Sequence, residues 1–214
     1  MEIYHLLNRG VEKRNVVLDD SDRIRFVHDL YAFNDSNDVD ANHRFREFES
    51  PHMREPLVDI HAFCLMLNHY HILVSEIKEG GISMFMRKLN MGYAKYFNEK
   101  YERSGVLWQG TFKKILLQRD AHFLHIPFYI HLNPLDVEFP QWRDGKMRNV
   151  DKALEFLAQY RWSSYLDYNG TKNFPSILHQ ELLTDVLGAP SRQKNIITDI
   201  ISNPGLARQA AKLE

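Results

Sequence analysis

Apolar residues fall in short alternating blocks in the first third of the chain and then change to a helical period. Ile3–Leu7 is a brief apolar run closed by Asn8-Arg9-Gly10, which predicts a first strand and a loop. Val16–Leu18 predicts a second, very short strand. Asp19-Asp20-Ser21-Asp22 supplies N-cap chemistry, and Ile24, Val27, Leu30 and Tyr31 follow at helical spacing to about Phe33. Residues 34–55 are polar and acidic without periodicity and read as an excursion. Val58 to Val74 is the strongest strand signal. Asp59, His61 and Phe63 alternate there with Ile60, Ala62 and Cys64, and a tight connection near Leu67-Asn68 returns the chain antiparallel through His69–Ser75.

Gly80-Gly81 breaks this pattern. From Ile82 onward, Phe85, Leu89, Tyr93 and Tyr96 mark one face of a long helix. Gly105 and Gly110 bracket VLWQ, and Phe112–Leu117 predicts another strand. HFLHIPFYIHLNP predicts a helix that Pro127 strains and Pro134 ends, because the residue before proline disfavours helical geometry. Val150 to Tyr160 predicts a further helix, and the apolar clusters after Gly170 predict a helical appendage. Early strands, interleaved helices and a central antiparallel hairpin make the fold class α+β.

Composition narrows the class. With 44% hydrophobic and 12% aromatic residues, the 214-residue chain can bury a core for one large domain or a domain with an appendage. Cys64 is the one cysteine, so no intrachain disulfide and no cysteine-based zinc site are expected, and the chain suits a reducing, cytoplasmic setting. No apolar run approaches the roughly 18–20 residues of a membrane span, and MEIYHLLNRG lacks the layout of a signal peptide. No membrane partner is expected.

A net charge of −1 argues against indiscriminate nucleic-acid binding, but the charge is unevenly spread. Residues 84–119 carry eight lysines and arginines against Glu99 and Glu102: Arg87, Lys88, Lys95, Lys100, Arg103, Lys113, Lys114 and Arg119. Residues 35–59 are acidic. The basic stretch is either the footprint of a defined anionic partner or a solvated helix face.

The candidate chemistry begins with LNHYHILVS at 67–75. In a strand, His69 and His71 share a face at about 6.5–7 Å along the backbone, and two imidazoles there can converge on a divalent cation. The alternative is a pair of half-exposed histidines in a hairpin. Tyr129 and Asn133 lie four apart on a helix and so share a face. A tyrosine oxygen can attack phosphorus and keep the cleaved phosphate as a covalent ester, and an amide oxygen suits a magnesium or manganese shell. The alternative is a core tyrosine and an asparagine that caps the helix before Pro134. His5 and His61 lie on predicted strands, where a structural role competes with a place at the border of the site. His131 points away from Tyr129 around the helix.

Seven stretches carry a resemblance: YHLLNRG (4–10), LDDSDRIRF (18–26), MLNHYHILV (66–74), MRKLNMGYAKYFN (86–98), GVLWQGTFKK (105–114), FYIHLNPL (128–135) and YRWSSY (160–165). Together the chain resembles the HUH single-tyrosine transposases, and most closely their REP-associated branch. The resemblance implies a ferredoxin-like central antiparallel sheet flanked by helices, with a transposase domain over 1–168 and a helical C-terminal extension over 169–214. It implies His69 and His71 as metal ligands, Tyr129 as nucleophile and Asn133 as third ligand, with Mg²⁺ or Mn²⁺ as cofactor. The implied reaction is cleavage and rejoining of hairpin-containing single-stranded DNA through a 5′-phosphotyrosine link and a free 3′-OH.

With DNA as partner, the basic stretch acquires a role. Arg87, Lys88, Lys95, Lys113 and Lys114, joined by Arg9, Lys13 and Arg14 in the first loop, become candidate phosphate contacts. Length and YRWSSY point to a monomer rather than a homodimer. Two rival functions differ in what they predict. A non-catalytic hairpin-binding regulator binds the strand without cleaving it, and a metal-dependent hydrolase forms no adduct with Tyr129.

Overall fold

In the computed structural model, residues 1–37, 54–117, 120–145, 147, 149–203 and 205 are described. Most of the 34–55 excursion, and Arg119 of the basic stretch, lie outside them. Strands β1 (Ile3–Arg9), β2 (Val58–Leu65), β3 (His69–Glu76) and β4 (Lys113–Leu116) form one sheet in the order β2-β3-β1-β4. Every neighbouring pair is antiparallel. Helix α1 (Asp20–Ala32) joins β1 to β2, and α2 (Gly81–Lys100) joins β3 to β4. This β-α-β-β-α-β order on an antiparallel sheet is the ferredoxin-like fold, and the class is α+β as the sequence pattern predicts.

The sheet separates two apolar clusters. On one face, Leu6, Tyr70, Ile72 and Val74 meet Phe26, Val27 and Leu30 of α1 and Phe85, Leu89 and Tyr93 of α2. On the other face, Ala62, Cys64 and Leu73 meet α3 (Asp120–Leu132) through Ile126, Tyr129 and Ile130. That second cluster continues through α4 (Leu135–Glu138), α5 (Val150–Gln159) and α6 (Tyr165–Tyr168) into α7 (Glu181–Leu187) and α8 (Pro190–Ser202). Leu183, Leu187, Ile197 and Ile201, from the segment after Gly170, are buried in it alongside Tyr129. Both sheet faces are therefore covered, which makes strand register expensive to change.

Local chemistry explains the element boundaries. Asp19 caps α1 by accepting from the Asp22 amide at 3.0 Å, while the Asp22 carboxylate accepts from the Asp19 amide at 3.3 Å. Lys100 Nζ donates to Asp19 at 2.8 Å and Asp22 at 2.7 Å, tying the last turn of α2 to the first of α1. The two helices pack closely at Gly92, where a Cβ would stand 2.3 Å from the Phe33 ring.

Two expectations are corrected. Val16–Leu18 is not a strand; the amides of Val16 and Val17 both donate to the Leu67 carbonyl, so this stretch packs against the β2–β3 connection instead of pairing in the sheet. The alternation across β2 is interrupted by a register shift between Ile60 and Ala62. Beyond that bulge Phe63 joins Ile60 in the first cluster, while Ala62 and Cys64 face the second. The bulge also places His61 so that its ring bonds Ser75 Oγ at 2.8 Å and the His179 carbonyl at 3.1 Å, a buried structural role. Pro127 is accommodated inside α3, and the helix stops one residue short of Asn133-Pro134.

Asn34 follows α1 and is nearly buried. Its Nδ2 donates to the Val58 carbonyl at 2.8 Å, and its Oδ1 accepts from the amides of Leu57 and Val58 at 3.0 Å each. Asn34→Ala strands these three backbone groups, so the expected loss is about 2–4 kcal/mol of unfolding free energy. Urea denaturation checks it; a loss below about 0.5 kcal/mol would show that water replaces the amide at no cost.

Candidate functional site

The antiparallel register of β1 on β3 sets Leu7 opposite His71 and Arg9 opposite His69. His5, Leu7 and Arg9 therefore share the sheet face of His69, His71 and Leu73, the face covered by α3. The ring centres of His69 and His71 lie 4.9 Å apart in an edge-to-face arrangement. Tyr129 projects from α3 onto the same spot, with its ring centre 5.8 Å from His71 and 6.4 Å from His5. The sheet face and one helix thus bring together residues separated by up to 124 positions, from His5 to Tyr129.

A hydrogen bond sets the tautomer of His69. Asn68 Nδ2 donates to the Lys13 carbonyl at 3.1 Å, which turns its Oδ1 toward His69 Nδ1 at 2.6 Å. An amide oxygen only accepts, so His69 Nδ1 carries the proton and Nε2 carries a lone pair. His71 Nδ1 faces His5 Nε2 at 2.9 Å, and the two rings stack at 5.1 Å. When Nδ1 of His71 donates in this bond, its Nε2 is likewise a lone-pair donor. An acceptor behind the ring fixes the orientation of a metal-binding imidazole, and Asn68 Oδ1 is such an acceptor for His69, so the pair fits a divalent cation. Among the described residues no cluster of three or more His, Cys, Asp or Glu side chains is placed to hold a metal ion.

Burial keeps His5 and His71 neutral. His71 is fully buried and is held far below the ordinary imidazole range, first by desolvation and then by His5, His69, Arg143 and Arg9 around it. Desolvation alone lowers His5 to about 3. Neutral imidazoles are the form that binds metals.

Tyr129 is only 2% exposed and Asn133 is fully buried. Asn133 Nδ2 donates to the Tyr129 carbonyl at 3.1 Å, closing the end of α3, and its Oδ1 accepts from Arg143 Nη2 at 2.9 Å. Asn133 thus performs the helix-capping job and still presents one lone pair of its oxygen. His131 faces the opposite way, bonded to Ser164 Oγ at 2.8 Å between Tyr165 and Tyr168.

The candidate phosphate contacts divide between two sides of the sheet. Arg9 and Lys113 lie on the histidine face and line a pocket of about 250 Å³ with Leu7, Asn8, Gln109 and Thr111. Lys13 and Arg14 are exposed just beyond β1, where Glu12 and Lys13 hold positive φ of 56° and 59°. Partial desolvation, and then the Arg14 charge beside it, hold the Arg103 guanidinium below its ordinary range, so like charges are gathered at this end. Lys114 lies on the other face, with Nζ 4.1 Å from the Tyr4 ring centre. Arg87, Lys88 and Lys95 stand on α2, across the sheet from Tyr129. Lys88 is engaged with the carbonyls of Asp35 and Asn37 at 2.6 and 2.5 Å, and Lys95 pairs with Glu99 at 3.8 Å. The basic stretch is therefore no single patch.

Sequence reasoning did not single out Arg143. Its guanidinium carbon lies 5.0 Å from the Tyr129 ring centre, in a segment without apolar periodicity that carries no signal of its own. For His5 the sequence favours a structural role over a place at the border of the site, and only the β1–β3 register makes it the partner of His71.

A family model described as "Transposase IS200 like" matches residues 4–133, more than half of the chain. No curated protein matches the sequence. A solved REP-associated tyrosine transposase bound to a REP hairpin is similar at 11% identity and a TM-score of 0.48, over 85% of this chain and 87% of that one. Among the described residues no helix is long and apolar enough to cross a membrane.

The buried histidines generate a stability prediction. Burial holds His5 and His131 at about 3, and His71 is also depressed, whereas each titrates near 6.5 when unfolded. Between those values the unfolded chain binds more protons, so stability rises with pH. It should be intact above about pH 6.5 and fall as pH drops toward about 3. Urea midpoints measured from pH 7 to 4 should fall steadily, and His131→Gln should flatten the slope. A pH-independent midpoint would contradict the burial argument.

Proposed function

The chain belongs to the IS200-like transposase family, and from that premise we propose that it cleaves and rejoins hairpin-containing single-stranded DNA with Tyr129 as nucleophile. The observation that carries this reading is that His69 and Tyr129 both stand against the buried His71 on one sheet face. His69 and His71 would hold Mg²⁺ or Mn²⁺, with Asn133 as third ligand through the lone pair that Arg143 leaves. When bound, that ion would polarise the scissile phosphate and orient its oxygens.

The side chains do the rest. Tyr129 Oη attacks phosphorus, the Oη–P bond forms and the P–O3′ bond breaks. The phenolic proton departs, and the released 3′ oxygen gains one. The 5′ phosphate stays on Tyr129 as an ester, which conserves the bond energy for rejoining when a 3′-OH attacks it. Asn68 and His5 hold the two ligating rings in place. Arg9 and Lys113 lie on the same sheet face and suit the strand's phosphates, with Lys13 and Arg14 at its end; Arg87, Lys88, Lys95 and Lys114 would meet a hairpin that wraps the molecule. In this reading one chain carries both halves of the site and the protein acts as a monomer.

A second reading has its own observation. Tyr129 is 2% exposed, so little of the residue meets solvent. A hairpin-binding regulator that no longer cleaves would tolerate that burial permanently.

A labelled hairpin strand with a single-stranded flank separates the two. The wild-type protein should form an adduct stable to denaturant in the presence of Mg²⁺ or Mn²⁺. Tyr129→Phe removes one oxygen at little cost in volume, so it should bind the hairpin and form no adduct. His69→Ala or His71→Ala should abolish cleavage and leave affinity nearly unchanged. An adduct that persists in Tyr129→Phe but is lost when Tyr93, Tyr96 or Tyr101 is changed would move the nucleophile elsewhere.

Affinity should also depend steeply on salt. If about four to six phosphates are neutralised on a single strand, log K falls against log salt with a slope near −3 to −4. A flat dependence would reduce the lysines and arginines to solvated surface.

A further inference from the structure

A cation stands over Tyr129 that neither the histidine pair nor the family-matched segment supplies. Arg143 lies in the 3₁₀ turn Trp142–Asp144, beyond Asn133 where the family match ends. Its guanidinium carbon stands over two rings, 5.0 Å from the centre of Tyr129 and 4.6 Å from that of Trp142. Asp136 grips one edge: Nε donates to Oδ1 at 2.9 Å and Nη2 to Oδ2 at 2.8 Å. Trp142 Nε1 steadies the same carboxylate at 2.6 Å. Nη2 also donates to the neutral amide oxygen of Asn133 at 2.9 Å. Of this pair, Arg143 is the member that reaches solvent, its side chain 20% exposed against 2% for Tyr129.

We propose that Arg143 is a catalytic residue of the strand transfer, binding a non-bridging oxygen of the phosphate as it passes to Tyr129, with Asp136 as its anchor. The proposal rests on Tyr129 being the nucleophile. Attack at phosphorus spreads negative charge over the phosphoryl oxygens, and a guanidinium already held over the ring of the nucleophile stabilises that charge with one hydrogen bond to exchange. Its planar fork suits a phosphate better than an ammonium does. The bond to Asn133 is the one that yields, because a phosphate oxygen is a stronger acceptor than a neutral amide. Asp136 remains in place and keeps the guanidinium aimed. The exchange releases the Asn133 oxygen at the moment the phosphate arrives.

The test pairs a protein change with a substrate change. A strand carrying a methylphosphonate at the scissile position lacks one anionic non-bridging oxygen, and its two stereoisomers distinguish the two oxygens. Arg143→Ala should slow adduct formation on the natural strand by ~10²–10³-fold, the range for losing one preorganised donor. Hairpin affinity should stay within about 2-fold, since this donor serves the transition state and not the stem. For one methylphosphonate stereoisomer, wild-type protein should be slowed as much as the variant is on the natural strand, with little further loss when both changes are combined. Arg143→Lys should recover part of the rate, and Asp136→Asn should lose part of it with affinity retained.

Losses that multiply for both stereoisomers, or a wild-type rate in Arg143→Ala, would overturn the role of Arg143 alone. If Arg143→Ala fails to bind the hairpin, Arg143→Lys and Asp136→Asn carry the same comparison. Absence of any Tyr129-dependent adduct in the wild-type protein would instead overturn the nucleophile, and the Arg143 role with it.

Discussion

The pairing of β1 with β3 is the constraint on which the site depends. Seven consecutive Cα partners, from Ile3 with Ser75 to Arg9 with His69, set which side chains face α3 and which face α1 and α2. Both faces are apolar and covered, so a slip by one residue would drive His71 toward Phe26 and Leu89 and bring Ile72 or Tyr70 to Tyr129. The hydrophobic pattern of the strand thereby fixes the chemistry of the site. Tyr70 packs against Phe26 and Trp108 on one side. That packing holds the two histidines on the other.

The cover on the histidine face is assembled from distant parts of the chain. α3 supplies Tyr129, and α7 and α8 bury Leu183, Leu187, Ile197 and Ile201 in the same cluster. Ser164 links these layers, accepting the Phe63 amide at 2.9 Å and meeting His131 at 2.8 Å. Tyr168 donates to the His61 carbonyl at 2.6 Å. The WSS stretch is therefore a structural clasp between β2 and α3. It holds the helix that carries the nucleophile candidate at a set height above the sheet.

Electrostatics at the site combine neutral imidazoles with fixed positive charges. Burial keeps His5 and His71 uncharged, while Arg9 and Arg143 remain charged around them. Such a setting attracts an anion and leaves imidazole nitrogens able to bind a metal. Asp136 offsets part of the Arg143 charge, which makes a partly buried guanidinium affordable beside an aromatic ring.

Much of the architecture follows from short-range pattern. The strand hairpin around Leu67-Asn68, the capped start of α1, the long α2 and the stop before Pro134 were all legible, because caps, turns and periodicity are local effects. The pairing of His69 with His71 on one face was legible for the same reason: strand geometry alone requires it. The bulge between Ile60 and Ala62, the non-strand course of Val16–Leu18 and the separation of α2's basic residues from Tyr129 were not. Each depends on what lies across the sheet. The same holds for His5 behind His71 and Arg143 over Tyr129. A single sequence encodes which residues are able to donate, accept or carry charge. Only chain closure in three dimensions decides which of them meet, because those contacts join segments whose separation leaves no periodic trace.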